Sequence, residues 1–125
     1  MIRIRAANRT ATQQRFDRHR LERAIELYLA DCYARRTPAR ASELASFIGV
    51  DRRDLVTVCV TLLGMRPRDV LRDRRLAYAQ HLLRTTRLAV SDIVRMTAFG
   101  TERTFNRSFV RAFGMTPESY RRDAG

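Results

Sequence analysis

The tetrad Gly64-Met65-Arg66-Pro67 recurs 50 residues further on as Gly114-Met115-Thr116-Pro117, and one plan precedes both copies. Leu44-Ala45, Gly49-Val50-Asp51 and Leu55 lead into the first. Ile93-Val94, Ala98-Phe99, Phe105 and Phe109 lead into the second. Each stretch reads as a short helix, a tight turn and a longer helix closed by glycine, which enters the left-handed conformation without a Cβ penalty. A short helix meeting a longer one across such a turn is a helix-turn-helix. One copy alone would fit an ordinary helical bundle equally well; two copies in register argue against that reading.

Apolar spacing extends the helical reading to nearly the whole chain. Gly and Pro are scarce, 5 and 3 in 125 residues, so breaks are few. Leu21, Ala24, Ile25, Tyr28, Leu29 and Cys32 form one stripe on a helix over about 16–34. Arg35–Arg40, carrying Pro38, is a loop. A short helix over about 41–47 turns Leu44, Ala45 and Ile48 inward and ends at Gly49. Asp51 caps a helix over about 52–63 whose core side holds Leu55 and Val58. Arg66-Pro67 opens a long basic helix with Val70, Leu71, Leu76, Ala79, Leu82 and Leu83 inside. In the second copy, Ser91 is expected to cap a helix over about 91–97 that buries Ile93 and Val94. Thr101 is expected to cap one over about 102–112 that buries Phe105, Phe109 and Phe113. Pro117 opens a last short helix through Tyr120. The fold class is therefore all-α, with about seven helices. A basic flexible arm, 1–15, precedes a domain over 16–122. Within it, helix-turn-helix subdomains at about 41–64 and 91–113 are joined by a linker helix at about 68–84.

Charge narrows the partner. The chain carries 25 basic and 13 acidic side chains, a net +12, and every basic residue is arginine. Codon bias in a GC-rich genome is the plain source of that arginine. Its chemical consequence is a surface suited to bidentate contact with phosphates and guanine edges. An excess this large fits a polyanion, nucleic acid before anionic membrane, and no run of 18 apolar residues is present to span a bilayer. Cys32, Cys59, His19 and His81 show no metal-ligand spacing, so neither a metal nor another cofactor is expected. No secretory h-region follows the N-terminus. Residues 1–16 contain arginine and no acid, which a mitochondrial presequence would share; a DNA-contacting arm or disorder fits better. A reducing bacterial cytoplasm suits the whole.

The ending Phe105-Asn106-Arg107-Ser108-Phe109-Val110-Arg111-Ala112-Phe113-Gly114-Met115-Thr116-Pro117-Glu118-Ser119-Tyr120-Arg121 resembles the C-terminal signature of AraC/XylS-type transcription regulators. Arg75-Leu76, Ala79 and Leu82-Leu83 resemble the same family's linker helix, and the resemblance covers about residues 17–122. It implies a bacterial DNA-binding activator whose two reading helices enter successive major grooves, roughly 34 Å apart. The implied site is asymmetric, on the order of 20 base pairs. At 125 residues, the chain is expected to carry no separate sensing domain beside the DNA-binding one. It resembles the small stand-alone members, expected to be monomeric and controlled by abundance or by a partner such as RNA polymerase; an excised C-terminal domain is the alternative. Departures from the family pattern are Ala98 in place of Gly and Val94 in place of Ala, both bulkier at the second turn, where the interhelical angle is expected to differ. Cys59 replaces a buried Phe, and Val70 an aromatic.

Helical spacing leaves Glu102, Arg103, Asn106 and Arg107 outside the Phe stripe. Arg reads guanine, Asn adenine, and Glu accepts from cytosine. The resemblance puts Arg103 and Arg107 foremost, with Glu102 and Asn106 behind them. Thr101 and Thr104, at the helix N-terminus, are expected at phosphate. The first reading helix exposes Arg52, Arg53, Asp54, Val56, Thr57, Val60 and Thr61, and Arg53, Val56 and Thr57 occupy the family's base-contact positions. Val56, Val60 and Leu63 equally suit a protein-binding strip, so an interaction module remains the alternative for this unit. Arg66, Arg68, Arg72, Arg74 and Arg75 near the linker are expected at phosphate or in solvent. An enzyme, such as a repair methyltransferase with an acceptor cysteine, is disfavoured because both cysteines fall on apolar stripes.

Overall fold

The computed structural model describes residues 17–124, so the arm expected at 1–15 lies outside the described residues. These form seven helices: α1 Arg18–Arg35, α2 Ala41–Ile48, α3 Arg52–Leu63, α4 Pro67–Thr85, α5 Val90–Met96, α6 Glu102–Phe113 and α7 Pro117–Ala124. The all-helical expectation holds, and the 50-residue register holds from α3 and α6 onward. Arg52 and Glu102 begin equivalent helices, Gly64 and Gly114 close them in left-handed conformations, and Pro67 and Pro117 open the next ones.

Two compact units divide the chain, and neither is a consecutive stretch. The first takes residues through Tyr28 and Arg40–Leu71; the second takes Leu29–Ala39 and residues from Arg72 onward. In the first unit, Leu21, Ile25, Leu44, Leu55 and Cys59 are almost wholly buried. The Tyr28 hydroxyl accepts the Arg40 N–H at 2.9 Å and donates to Glu43 Oε1 at 3.1 Å, satisfying a donor at the start of α2. In the second unit, Leu76, Ala79, Leu83, Ile93, Phe105 and Phe109 form the centre of the core, with Phe113 and Tyr120 partly buried against it. The Phe105, Phe109 and Tyr120 rings meet in sequence at centroid distances of 5.6 Å.

Three local expectations change. Asp17 caps α1, its carboxylate accepting the Arg20 N–H at 2.8 Å, so that helix starts two residues later than its apolar stripe suggests. Ser91 is not a cap: α5 starts at Val90, Ala89 is the extended N-cap residue, and no side chain bonds there. Asp92 and Ile93 donate their N–H groups to Ala89 O, which draws residue 91 into the first turn. α7 continues to Ala124, since Arg121-Arg122-Asp123-Ala124 contains no breaker and places arginines where a helix C-terminus favours cations.

The two turns differ. Three residues, Gly49–Asp51, separate α2 from α3, whereas five, Thr97–Thr101, separate α5 from α6. Gly49 is left-handed at φ 89°, and its counterpart Ala98 is also left-handed at φ 62°, a conformation that costs a non-glycine residue about 1–2 kcal/mol. Gly100, at φ 85°, follows it, and a Cβ there would meet Pro38 Cγ at 3.3 Å. Gly100→Ala is therefore expected to destabilise the protein by about 1–2 kcal/mol in denaturant titration. An unchanged midpoint would mean that the turn accepts a Cβ there.

Candidate nucleic-acid interface

Each unit presents one capped, twelve-residue helix whose outward face carries arginine. On α6, Thr101 is the N-cap, its Oγ1 accepting the Thr104 N–H at 3.1 Å and lying 2.9 Å from Thr104 Oγ1. The two hydroxyls thus order one another, with both residues exposed at the helix start. Glu102, Arg103 and Arg107 are exposed, and the two arginines, four apart, lie one turn from each other along the same face. Neither arginine has an ion pair or hydrogen bond among the described residues, so both guanidinium groups are available to a partner. Asn106, expected in the same outward set, is half-buried at the edge of that face. Its Oδ1 is covered and has no hydrogen-bond partner.

On α3, Asp51 is the N-cap, its Oδ1 accepting the Asp54 N–H at 2.8 Å. Arg52 and Arg53 are exposed at the start, and Val56 and Val60 are 38% and 47% exposed along the same helix. Thr57 is half-buried and donates its hydroxyl proton to Arg53 O at 3.1 Å. Beside this face is a hollow of about 190 Å³ lined by Ala41, Arg52, Leu55, Val56, Arg66, Pro67 and Arg68. Three guanidinium groups and the N-terminal turns of α3 and α4 border it, a setting that favours anions. Sequence reasoning placed Arg66 and Arg68 loosely near the linker. Their convergence on Arg52 is a tertiary fact without a local signal.

Arg75 corrects its expected place. It is half-buried against the second turn. Its Nη1 donates to Ala98 O at 2.9 Å, and the guanidinium carbon lies 4.4 Å from the Phe99 ring centroid. Both cysteines are free and buried, and burial pushes the Cys59 thiol up to about 11, the reverse of an activated acceptor. No helix among the described residues is long and apolar enough to cross a membrane.

The chain matches the family described as a helix-turn-helix domain over residues 44–123. It is 36% identical over 78 residues to the F1 operon positive regulatory protein of Yersinia pestis, covering 62% of this chain and 26% of that one. It is 29% identical over 82 residues to the virulence regulon transcriptional activator VirF of Yersinia enterocolitica, covering 66% of this chain and 30% of that one. The chain thus spans less than a third of the length of these two relatives. Among solved structures, a transcriptional regulator with an AraC-type DNA-binding domain from Chromobacterium violaceum superposes with a TM-score of 0.68 at 25% identity. That match covers 82% of this chain and 88% of that one. The chain belongs to the AraC-type helix-turn-helix family, a family of transcription regulators.

Proposed function

We propose that the chain binds double-stranded DNA sequence-specifically through α3 and α6, each reading one major-groove segment, and that it activates transcription. The observation that carries this reading is the pair of equivalent helices, α3 from Arg52 and α6 from Glu102. Each has a side-chain N-cap, and between them they expose Arg52, Arg53, Arg103 and Arg107, none with a partner among the described residues. Arg103 and Arg107 read bases in α6, with Glu102 and Asn106 contributing at the edge and Thr101 and Thr104 at phosphate. In α3, Arg53, Val56 and Thr57 meet base edges, Val56 suiting a thymine methyl. Arg52 reaches the backbone, and the hollow it shares with Arg66 and Arg68 seats a phosphate. The names of the two Yersinia relatives, a positive regulator and an activator, support activation. In this reading the chain works as a monomer in the bacterial cytoplasm, at the nucleoid, with RNA polymerase as its further partner.

Selection of bound fragments from genomic DNA, followed by salt titration of the best site against random duplex, tests the reading. An asymmetric consensus with two blocks about one helical turn apart is expected, with affinity falling steeply as salt rises. A single block would assign α3 another task, and its exposed Val56 and Val60 would then be the first residues to truncate in an activation assay. No consensus at all would overturn the proposal.

A further inference from the structure

The second helix-turn-helix holds its turn by a device that the first does not need. Gly49 takes its left-handed conformation freely, whereas Ala98, its counterpart, carries a Cβ at φ 62° and is buried. The Ala98 carbonyl accepts two hydrogen bonds, from the Ala39 N–H at 3.1 Å and from Arg75 Nη1 at 2.9 Å. The same guanidinium covers the ring of Phe99. Pro38 stands against Gly100, its Cγ 3.3 Å from where a Cβ would lie. Three consecutive turn residues are thus held by Arg75 and by the loop between α1 and α2. Tyr33, in the same unit, feels the Arg75 charge as well, although burial raises its hydroxyl to about 12.

We propose that Arg75 is a positioning residue for DNA reading: with the Ala39 amide it fixes Ala98 in the left-handed conformation and so sets the direction in which α6 leaves the turn. Arginine suits the task because a planar guanidinium donates in its plane and stacks on a ring with its face at the same time. The segment Leu29–Ala39 lies outside the family match at 44–123, yet belongs to the second unit. Through Pro38 and Ala39 it is a working part of that reading unit. The inference rests on α6 being a reading helix.

The test compares wild type, Arg75→Met, Ala98→Gly and the double variant on the best selected site, by footprinting and by salt titration. Arg75→Met is expected to weaken binding on the order of tenfold, the size of one charge-assisted hydrogen bond. Its footprint loses the block read by α6, and its salt slope is unchanged. Ala98→Gly binds like wild type, and in the double variant glycine restores most of the loss, because it adopts the turn without a brace. A merely packing role for Arg75 would not be rescued in this way. A loss that reduces the salt slope by about one and is not rescued would make Arg75 a phosphate ligand and overturn the proposal. So would unchanged binding by Arg75→Met, or a double variant that fails to fold. Amide exchange at Ala39 gives a readout without DNA: it accelerates in Arg75→Met whichever helix reads bases. If wild type protects no α6 block while Ala39 exchange still depends on Arg75, the reading assignment fails and the brace stands.

Discussion

Replacing Phe109 with alanine is expected to lower stability by about 3–5 kcal/mol, the cost of emptying a fully buried aromatic site. The side chain has no solvent exposure, and its ring meets Phe105 at 5.6 Å, Phe113 at 4.6 Å and Tyr120 at 5.6 Å. Such aromatic pairs contribute about 0.5–1.5 kcal/mol each beyond the area they bury. A domain of this size is stable by about 5–15 kcal/mol in total, so one substitution removes a large share. Because the chain forms two compact units, the loss is expected to fall on the second and to split urea unfolding into two transitions. Val110→Ala is the control: Val110 is 42% exposed, and an exposed truncation costs within about 0.5 kcal/mol. One shifted transition of full amplitude for Phe109→Ala would mean that the two units unfold together, and a loss below about 1 kcal/mol would contradict the packing account.

The sequence displayed the Phe stripe of this packing because it is periodic and punctuated, whereas Tyr120 reaches Phe109 from another helix and gave no such signal. Phe105, Phe109 and Phe113 recur at four-residue spacing, and Asp51, Thr101, Gly64 and Gly114 mark the ends of α3 and α6. Caps and glycine closures are local, so their signal survives without knowledge of contacts. Ser91 misled because a cap residue type one position inside a helix looks like a cap until the backbone of Ala89 is seen to be the extended residue. The division into units was hidden for a different reason. α1 and α4 each contribute to both, and nothing in their apolar stripes changes at Tyr28 or Leu71. Arg75 shows the widest gap between pattern and place: among many linker arginines, only the tertiary approach of Ala98 and Phe99 separates it from those in solvent. Asn106 falls on the outward side by spacing, while the packing around it covers its Oδ1.

Arg103→Ala and Arg107→Ala are each expected to weaken binding to the cognate site by about 1–3 kcal/mol, or roughly fivefold to more than a hundredfold, and to relax the preference at one base pair. Both side chains are exposed on α6 without a partner among the described residues, so removal leaves no buried charge behind and the loss reports the DNA contact itself. Arg66→Ala and Arg68→Ala provide the contrast. Their guanidinium groups border the hollow beside α3 with Arg52, where a phosphate is proposed. Truncation there is expected to weaken matched and mismatched sites alike and to reduce the salt slope by about one per residue. The two classes separate in one experiment, titration of the cognate site and of single-base variants at two salt concentrations. If Arg103→Ala and Arg107→Ala lower affinity for all sequences equally and flatten the salt dependence, α6 lies along the backbone and sequence is read elsewhere. If instead they change base preference at constant slope, α6 is inside the groove. The absence of a partner for these two arginines among the described residues is then the reserve from which specificity is drawn.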